Sequence, residues 1–442
     1  MQGPSTSSDK KLTLFWFRRD LRLEDNAGLF RALNEEENVQ PIFIFDREIL
    51  DKLEDKDDRR VSFIYAQIER LMRELEEKGG TLWVYYGKPK EIFESLLKKH
   101  DIHALYANKD YEPYARERDK AVYDLMNDHG IRFRAFKDHV ILEKDEVLKD
   151  DGDPYVVYSP YSRRWKENLK EEDLQSYPTL AKMEALHQTE KATLISLDDM
   201  GFERHENDWP DPKVDLDIVK KYHNNRNTPA KQGTTRISVH LRFGTMSIRE
   251  MAKIGKEHNT KWYNELIWRE FYQSILWHFP HVVDQSFRKE YDQIEWRNNE
   301  EEFQAWCDGR TGYPIVDAGM RELNETGFMH NRVRMIVASF LTKHLLIDWR
   351  WGEAYFARKL LDFELASNNG GWQWAAGSGV DAAPYFRVFN PYLQTDKFDK
   401  QRKYVEHWVP EVDTNKYPDP IVEHKFARER ALETYKKGLG KG

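Results

Sequence analysis

The run Leu12-Thr-Leu-Phe-Trp-Phe17 is the first of five short apolar stretches in the N-terminal third of the chain. The other four cover residues 41–45, 81–86, 104–106 and 131–136. Between them, apolar residues recur at helical spacing over 61–77, 91–99 and 115–129. Short buried strands that alternate with helices predict a doubly wound parallel sheet of the Rossmann-like α/β class. Such sheets bind ligands beyond the carboxyl ends of their strands, so we expect a small-molecule site there.

Over its whole length, the chain divides into four segments. Residues 1–10 are polar and Ser-rich, which predicts a disordered leader, and residues 11–140 form the predicted α/β domain. Residues 141–215 contain five prolines and no sustained period, which predicts a long linker. From residue 216 the strand pattern disappears, and helical spacing over 262–279 and 331–347 predicts an all-helical domain that ends at 442.

Composition excludes several classes of protein. With 33% charged residues and no long apolar run, the 442-residue chain is predicted to be a cytoplasmic protein with no membrane segment. A single cysteine, Cys307, rules out an intramolecular disulfide and any multi-thiolate metal site, and we predict no metal. We expect a monomer with no obligate protein partner.

The formal net charge of −8 argues against a protein that binds nucleic acid through general basicity. Between Lys221 and Arg242, however, five basic residues occur with no acidic residue among them. This strip is a candidate surface for phosphates. A solvated loop whose charge only maintains solubility is an alternative that composition leaves open.

Aromatic residues are concentrated in the second half, where ten of the fourteen tryptophans lie at or after Trp262. For any single tryptophan, ordinary core packing is the simplest interpretation. The run Asn368-Asn-Gly-Gly-Trp-Gln-Trp374 differs, because its glycines allow a flat ligand to approach and its amides can hydrogen-bond it. The chain has no phosphate-binding Walker loop, zinc-protease motif or nucleophile elbow. The sequence therefore predicts that an organic cofactor, such as a flavin, carries out the chemistry.

Seven motifs resemble, in order, those of class I cyclobutane pyrimidine dimer photolyases of the photolyase/cryptochrome family. They are Phe17-Arg-Arg-Asp-Leu-Arg22, Thr234-Thr-Arg-Ile-Ser238, Asn264-Glu-Leu-Ile-Trp-Arg-Glu-Phe-Tyr272, Gly312-Tyr-Pro-Ile-Val-Asp317, Met329-His-Asn-Arg-Val-Arg-Met335, Asn368-Asn-Gly-Gly-Trp-Gln-Trp374 and Asp381-Ala-Ala-Pro-Tyr-Phe-Arg387. The resemblance spans nearly the whole chain. It implies an N-terminal α/β domain, a long linker and a C-terminal helical domain that binds FAD.

The resemblance also implies the residues that bind FAD. Those predicted to contact the cofactor are Tyr222, Thr234, Thr235, Arg236, Ile237, Ser238, Arg334, Asp362, Phe363, Glu364 and Asn368. Within this set, Arg334 is predicted to be the ionic partner of Asp362, and Asn368 is predicted to face the flavin N5. A helix cap is the alternative for the two threonines. A neutral amide at the N5 position favours repair over blue-light signalling, where an acid or a thiol is found.

The implied activity is light-driven splitting of cyclobutane pyrimidine dimers in DNA. An electron passes from excited, fully reduced FAD to a flipped-out dimer and returns, which restores two pyrimidines. The predicted catalytic residues are Glu265, Trp268, Asn331, Met335, Asn368 and Trp374. The predicted DNA contacts are Arg226, Glu265, Trp268, Arg269, Asn331, Arg332, Arg387 and Gln394. The chain Trp372, Trp349 and Trp296 is predicted to carry electrons to oxidised flavin. A cryptochrome-like photoreceptor and a (6-4) photolyase remain the alternatives.

Two positions depart from the family pattern: Glu364 replaces an aspartate, and Arg242 stands where a histidine is common. The longer Glu364 side chain is expected to affect only flavin affinity or its hydrogen bonds. An antenna chromophore in the α/β domain, a folate, a deazaflavin or a flavin, is also implied, but no segment predicts its type. Asn108 and Glu112 are candidates to line its cleft, and ordinary polar loop residues are an equally open interpretation.

Overall fold

The computed structural model describes residues 11–206 and 209–440, so the predicted leader, 1–10, lies outside the described residues. The chain forms two compact units. One comprises the chain up to Ile141 together with Lys170–Pro212 and His240–Met251; the other comprises Leu142–Leu169, Lys213–Val239 and Ala252–Gly442. Among the residues described, no helix combines the length and apolar character needed to cross a bilayer. The cytoplasmic location and the monomeric state stay predictions.

The first unit contains the predicted parallel sheet. Its strands are β1 (Leu12–Phe17), β2 (Val39–Asp46), β3 (Trp83–Gly87), β4 (Ile102–Asn108) and β5 (Arg132–Phe136). They are all parallel, in the order β3-β2-β1-β4-β5, with β1 between β2 and β4. The connections diverge on either side of β1, as the doubly wound class requires. The α/β prediction is therefore confirmed, and the observed strand bounds differ from the predicted ones by at most two residues.

Helices connect these strands. They are α1 (Ala27–Glu35), α2 (Arg47–Leu50), α3 (Arg59–Glu77), α4 (Pro89–Lys99) and α5 (Pro113–Asp128). α3 buries one stripe, which includes Phe63, Ile68 and Leu75, because apolar residues recur three or four positions apart along it. Prolines at the first positions of α4 and α5 suit a helix start, where no backbone donor is needed.

The segment 240–251 belongs to the first unit although it is distant in sequence from the sheet. A buried ion-pair network explains why. Arg249 donates to Asp25 at 2.9 Å and to Asp138 at 2.7 Å, and Arg22 donates to the same Asp138 carboxylate at 2.8 Å. Two guanidinium groups hold the pKa of Asp138 well below its usual range despite its burial. Because an unpaired buried charge is costly, this network attaches the segment firmly to the α/β unit.

The predicted linker, 141–215, contains more regular structure than expected. Helix α6 (Tyr158–Asn168) lies within it and belongs to the second unit, where it packs on a long helix, α10, described below. Tyr161 and Trp165, four residues apart, are both buried. Lys170–Pro212 instead belongs to the first unit and carries short 3₁₀ helices at Glu171–Leu174, Thr179–Ala185 and Asp198–Met200. Two buried aromatic residues are too few to produce a detectable sequence period, so the pattern did not reveal α6.

The second unit is helical, as predicted. The helices that follow α6 along the chain are α7 (Leu216–Asn225), α8 (Ser238–Phe243), α9 (Ile248–His258), α10 (Thr260–His278), α11 (Glu300–Cys307), α12 (Pro314–Thr326), α13 (Asn331–Ser339), α14 (Trp349–Lys359), α15 (Leu365–Ala376), α16 (Pro391–Phe398), α17 (Lys403–Trp408) and α18 (His424–Gly438), of which α8 and α9 belong only in part to this unit. The chain passes between the units within α8 and within α9. α10 packs on α6, α7 and α15, while α15 also contacts α13 and α14. These contacts place α15 at the centre of the unit.

The predicted helix 331–347 is interrupted. α13 ends at Ser339, and residues Phe340–His344 form a π-helical segment in which all five residues are buried. π-Helical turns are rare and occur frequently near functional sites. Three further short 3₁₀ helices, Lys144–Glu146, Pro280–Val283 and Lys289–Gln293, complete the unit.

Candidate functional site

The exposed face of α15 offers a surface suited to a flat ligand. Asn368, Gly371 and Trp374 recur at three-residue spacing, so they share one side of the helix. A Cβ added at Gly371 would meet no atom within 4 Å, whereas one added at Gly370 would lie 2.2 Å from the Tyr272 ring. Gly370 therefore allows an aromatic side chain to pack, and Gly371 keeps open the face between Asn368 and Trp374. This arrangement fits the ring system of a flavin.

A neighbouring carboxylate orients the amide of Asn368. Its Nδ2 donates to Glu353 Oε1 at 2.8 Å and to the Glu353 backbone oxygen at 3.1 Å. These two bonds use both amide hydrogens, so Oδ1 is the atom left to accept a further bond. Burial raises the pKa of Glu353 above its usual value. Glu353 was not predicted, and because it lies on α14, fifteen residues from Asn368, no local pattern connects the two.

Arg334 and Asp362 form the ion pair that the resemblance suggested. Arg334 Nη2 lies 3.1 Å and 3.0 Å from the two carboxylate oxygens of Asp362. Nε of the same guanidinium donates to the Met329 backbone oxygen at 2.7 Å. The pair therefore holds the loop before α15 against α13. Phe363, the next residue, is half-buried and packs against the main core of the unit.

Glu364 is bound by protein donors on both oxygens. Oε1 accepts from Arg269 Nη2 at 2.9 Å and from Gln273 Nε2 at 3.1 Å, and Oε2 accepts from Ser367 at 3.1 Å. The side chains of Arg269 and Glu364 are only 11% and 7% exposed. The longer side chain at this departure from the family pattern thus reaches across to α10. Arg269, predicted to contact DNA, lies inside the unit in an ion pair.

The segment 234–238 adopts a conformation unusual for its residues. Arg236 has φ +52°, in the left-handed region that non-glycine residues rarely adopt. Its guanidinium lies 4.3 Å from the Phe328 ring centroid and 4.0 Å from Glu322 Oε1. Thr235 Oγ1 accepts from Trp262 Nε1 at 3.3 Å, which identifies an inward contact for one of the two threonines. Thr234 is half-buried, Ile237 is buried, and Ser238 begins α8 with its side chain exposed.

Glu265 on α10 forms a polar group with two residues from α7 and its C-terminus. Arg226 makes an ion pair with its carboxylate, and the Tyr222 hydroxyl donates to it. Burial raises the pKa of Glu265, whereas Arg226 and Tyr222 lower it, and the effect of burial is the larger. Trp268, one turn along α10, is half-buried and stacks on Tyr158 of α6. An acid of raised pKa beside a stacked indole can bind both the polar edge and the apolar face of a base.

α13 begins with residues predicted to touch DNA. Asn331 is exposed, and the Arg332 guanidinium lies 2.8 Å from Asn227 Oδ1, 3.5 Å from Met335 Sδ and 4.4 Å from the Phe398 ring centroid. Burial, together with the nearby charges of Arg226 and Arg387, lowers the pKa of Arg332. These three arginines therefore form a basic cluster, here called the arginine cluster. Gln394 is half-buried on the first turn of α16.

The predicted electron-transfer tryptophans differ in exposure. Trp372 and Trp349 are 2% and 1% exposed, while Trp296 is half-buried. Gly352 allows Trp372 to approach α14, since a Cβ there would lie 2.1 Å from the indole. A buried tryptophan that was not predicted, Trp306, lies edge-on to Trp372 with ring centroids 6.0 Å apart. Of the three predicted indoles, Trp296 is therefore the one with appreciable solvent exposure.

Comparisons with known proteins identify the family of the chain. Residues 13–181 match the family model described as DNA photolyase, and residues 262–415 match the FAD binding domain of DNA photolyase. A deoxyribodipyrimidine photo-lyase of Synechococcus sp. is 36% identical, with 96% of each chain covered. The chain belongs to the photolyase/cryptochrome family. The matched part of its helical unit is accordingly an FAD-binding domain. Of the residues predicted to bind that cofactor, those from Arg334 to Asn368 lie within the matched range, whereas Tyr222 and residues 234–238 precede it.

Two solved photolyase structures are similar over nearly the whole chain. A bacterial class III photolyase from Agrobacterium tumefaciens is 32% identical, with a TM-score of 0.88 and 100% of each chain covered. An archaeal photolyase from Sulfolobus tokodaii is 35% identical, with a TM-score of 0.83, 96% of this chain covered and 99% of the other. The archaeal protein contains two FAD molecules, which imply a novel light-harvesting cofactor in that protein.

In this photolyase-family chain, the two candidates for an antenna cleft have internal partners. Asn108 is 4% exposed; its Nδ2 donates to Asp20 and Asn26 at 2.6 Å and 2.7 Å, and its Oδ1 accepts from Gly28 at 2.8 Å. It therefore holds the loop after β1, which favours the alternative of an ordinary polar loop residue, and its place in an antenna cleft stays a prediction. Glu112 pairs with Arg19 at 2.9 Å and with Arg242 at 3.3 Å. The unusual Arg242 thus has a carboxylate partner in the same unit.

Proposed function

We propose that this chain splits cyclobutane pyrimidine dimers in DNA under near-ultraviolet or blue light. The observation that carries the proposal is the group formed by Glu265, Arg226 and Tyr222, one helical turn from the stacked indole of Trp268. A flipped dimer presents carbonyl groups at its edge and apolar rings on its faces. Glu265 supports binding of the edge, and Trp268 with Trp374 supports binding of the faces.

When bound and fully reduced, FAD would supply, on excitation, the electron that opens the dimer, and it would take that electron back after the bonds have split. The protein residues bind and orient the cofactor and the dimer, and they exclude water from the site. The Asn368 Oδ1 atom, oriented by Glu353, is suited to accept a hydrogen bond from a protonated flavin N5. Arg334 with Asp362, and the strained segment around Arg236, support cofactor binding. Trp296, Trp349 and Trp372 support reduction of oxidised flavin before repair. The class I assignment stays a prediction from the motifs, because a class III structure aligns over the full chain.

We propose that the arginine cluster, together with Gln394 and Asn331, contacts the phosphates of the DNA backbone. Phosphate contacts of this kind position a strand without reading its sequence. We assign Arg269 a different role from the predicted one. Since its guanidinium is bound to Glu364 and its side chain is 11% exposed, we propose that it positions Glu364 next to the cofactor-binding loop.

The test is direct repair. Purified protein with reduced FAD is illuminated with an oligonucleotide that contains one thymine dimer, and recovery of thymine absorbance is followed. We expect recovery with the unmodified chain and none with a Glu265→Ala, Trp268→Ala double variant that retains its flavin. Darkness and an oligonucleotide with a (6-4) lesion are the controls. No recovery from the dimer despite bound, reduced flavin would overturn the proposal; repair of the (6-4) lesion would then indicate that activity, and repair of neither would indicate a photoreceptor.

A further inference from the structure

Tyr158, the first residue of α6, covers one face of Trp268. The centroids of the two rings are 3.7 Å apart, and the ring planes differ by 6°. Aromatic pairs in proteins are usually offset or edge-on, with centroids about 4.5–7 Å apart. A parallel pair this close removes one full face of the indole from solvent. Trp268 is nevertheless only half-buried, so part of its surface remains accessible.

Both ends of Tyr158 are anchored. Its hydroxyl donates to the Asn264 backbone oxygen at 3.0 Å, and its backbone N–H donates to Asp381 Oδ2 at 3.3 Å. In an α-helix the Asn264 oxygen also accepts from the N–H of Trp268, four residues on. Burial raises the pKa of Tyr158 to about 12, so the hydroxyl keeps its proton at physiological pH. The phenol is therefore fixed to the same backbone oxygen as the tryptophan that it covers.

A second aromatic contact connects Trp268 with α15. Tyr272 lies 5.6 Å from Trp268 with the planes tilted by 34°, and its ring fills the space that the missing side chain of Gly370 leaves. The rings of Tyr158, Trp268 and Tyr272 thus form a continuous row from α6 to the helix that carries Asn368. The indole is held on one face by Tyr158 and is contacted by Tyr272 as well.

α6 does not depend on Tyr158 for its own attachment. Tyr161 and Trp165 are each 1% exposed, and Trp165 Nε1 donates to Glu270 at 2.6 Å. Tyr158, in contrast, is only half-buried. A residue that served only to pack α6 would lie with these two in the core. Its position against the functional indole points to a different role.

We propose that Tyr158 is a positioning residue for lesion binding, which holds Trp268 so that only its opposite face is presented to the dimer. The inference rests on the proposed function. A fixed indole loses little conformational freedom when a dimer binds, so the stack favours affinity for the dimer and leaves the electron-transfer step unchanged. Undamaged DNA, whose bases stay stacked in the helix, gains nothing from it.

The experiment compares Tyr158→Leu and Tyr158→Phe with a matched control, Tyr155→Leu. Tyr155 lies in the same segment and contacts Tyr161, with ring centroids 6.4 Å apart. For Tyr158→Leu we expect the Kd for a dimer-containing oligonucleotide to rise about threefold to tenfold, the range of one lost aromatic stack. Tyr158→Phe retains the stack and is expected to change the Kd by less than about threefold. The Kd for undamaged DNA and the repair rate at saturating dimer are expected to stay unchanged in both variants.

A double-mutant cycle with Trp268→Ala separates positioning from general packing. If Tyr158 acts through Trp268, Tyr158→Leu has no further effect on dimer affinity in the Trp268→Ala background. Equal effects in both backgrounds, an equal effect of Tyr155→Leu, or an equal loss of affinity for undamaged DNA would overturn the inference. The flavin content and the thermal unfolding of each variant show whether it folds. If Tyr158→Leu does not fold, Tyr158→Met, with its longer unbranched side chain, replaces it. If the wild-type protein binds dimer-containing DNA no more tightly than undamaged DNA, the proposed function itself is overturned.

Discussion

At Glu265, opposing effects act on one carboxyl group. Burial raises its pKa from 4.5 more than Arg226 and Tyr222 lower it. A carboxyl with a raised pKa donates a hydrogen bond while protonated and loses this capacity as the pH rises through that pKa. We therefore expect dimer affinity in the wild type to decrease as the pH rises through this raised pKa, which lies above the ordinary value of 4.5. Glu265→Gln, whose amide keeps its donors, should show a flat profile by fluorescence anisotropy. If dimer affinity depends on pH in the same way in the wild type and in Glu265→Gln, this prediction is wrong.

The hydrogen bond between the Asn368 amide and the Glu353 carboxylate leads to a second prediction for single residues. Glu353→Leu removes one of the two acceptors that orient the Asn368 amide and keeps only the backbone oxygen, so the direction of Oδ1 is less firmly fixed. One misplaced hydrogen bond of about 1 kcal/mol corresponds to a decrease of about 20 mV in the two-electron reduction potential of bound FAD. Glu353→Gln retains an acceptor and is the matched control, with an expected shift close to zero. Spectroelectrochemical titration measures both. An equal shift in the two variants would indicate that charge, and not orientation, matters.

Within α15, two adjacent glycines are predicted to respond in opposite ways to alanine. Gly371→Ala adds a methyl group to open space, so the apoprotein should gain up to about 1 kcal/mol from helix propensity while its FAD affinity falls. Gly370→Ala places the same group 2.2 Å from the Tyr272 ring and should destabilise the apoprotein. Urea unfolding of the apoproteins and fluorescence titration with FAD measure the two effects. Unchanged FAD affinity in Gly371→Ala would contradict the assignment of this face to the cofactor.

The π-helical segment carries a buried amine whose titration affects stability. Lys343 Nζ donates to the Ala376 and Tyr385 backbone oxygens at 3.1 Å and 3.2 Å and lies 3.9 Å from the Tyr435 ring centroid. Burial lowers its pKa from 10.5 to about 7. Between these values the unfolded chain binds more protons, so this group makes the folded state more stable as the pH rises.

Relative to Lys343→Met, we therefore expect wild-type protein to gain up to about 1.4 kcal/mol of stability per pH unit above pH 7. Urea unfolding at several pH values measures the difference in free energy of unfolding between the two proteins. The contributions of other titrating groups are the same in both and cancel in this difference. Lys436→Met, at an exposed position of α18, is the control and should show no such slope. Curves for Lys343→Met and wild type that stay parallel would show that Lys343 remains charged in the folded protein.

For the whole molecule, the net charge of −8 and the proposed binding of DNA are reconciled by local charge. Arg226 and Arg387 are each close enough to Arg332 to lower its pKa, and each phosphate contact releases counterions. Arg387→Ala should lower the slope of log affinity against log salt by about 1. Arg428→Ala on α18 removes the same charge outside the arginine cluster and should leave the slope unchanged. Equal slopes for wild type and Arg387→Ala would exclude Arg387 as a phosphate contact.

Local patterns in the sequence predict the alternation of β1–β5 with helices and the helical second unit, and its motifs indicate the family. These features depend on local hydrophobic period and on short runs of residues, which a single sequence displays directly. The predicted strands Leu12–Phe17 and 131–136 agree with the structure to within one residue for this reason. The candidate cofactor and lesion residues came from motif resemblance, and their roles await the experiments above.

Which side chains meet across long sequence separations depends on the tertiary structure. Tyr158 contacts Trp268, Arg269 pairs with Glu364, and Asn108 is enclosed by Asp20 and Asn26. Such pairs join residues 82 to 110 positions apart, and no periodicity encodes a partner at that distance. The predicted linker shows the same limit. α6 is attached through its buried residues Tyr161 and Trp165, so its place in the helical unit depends on packing against α10 and not on a pattern of its own.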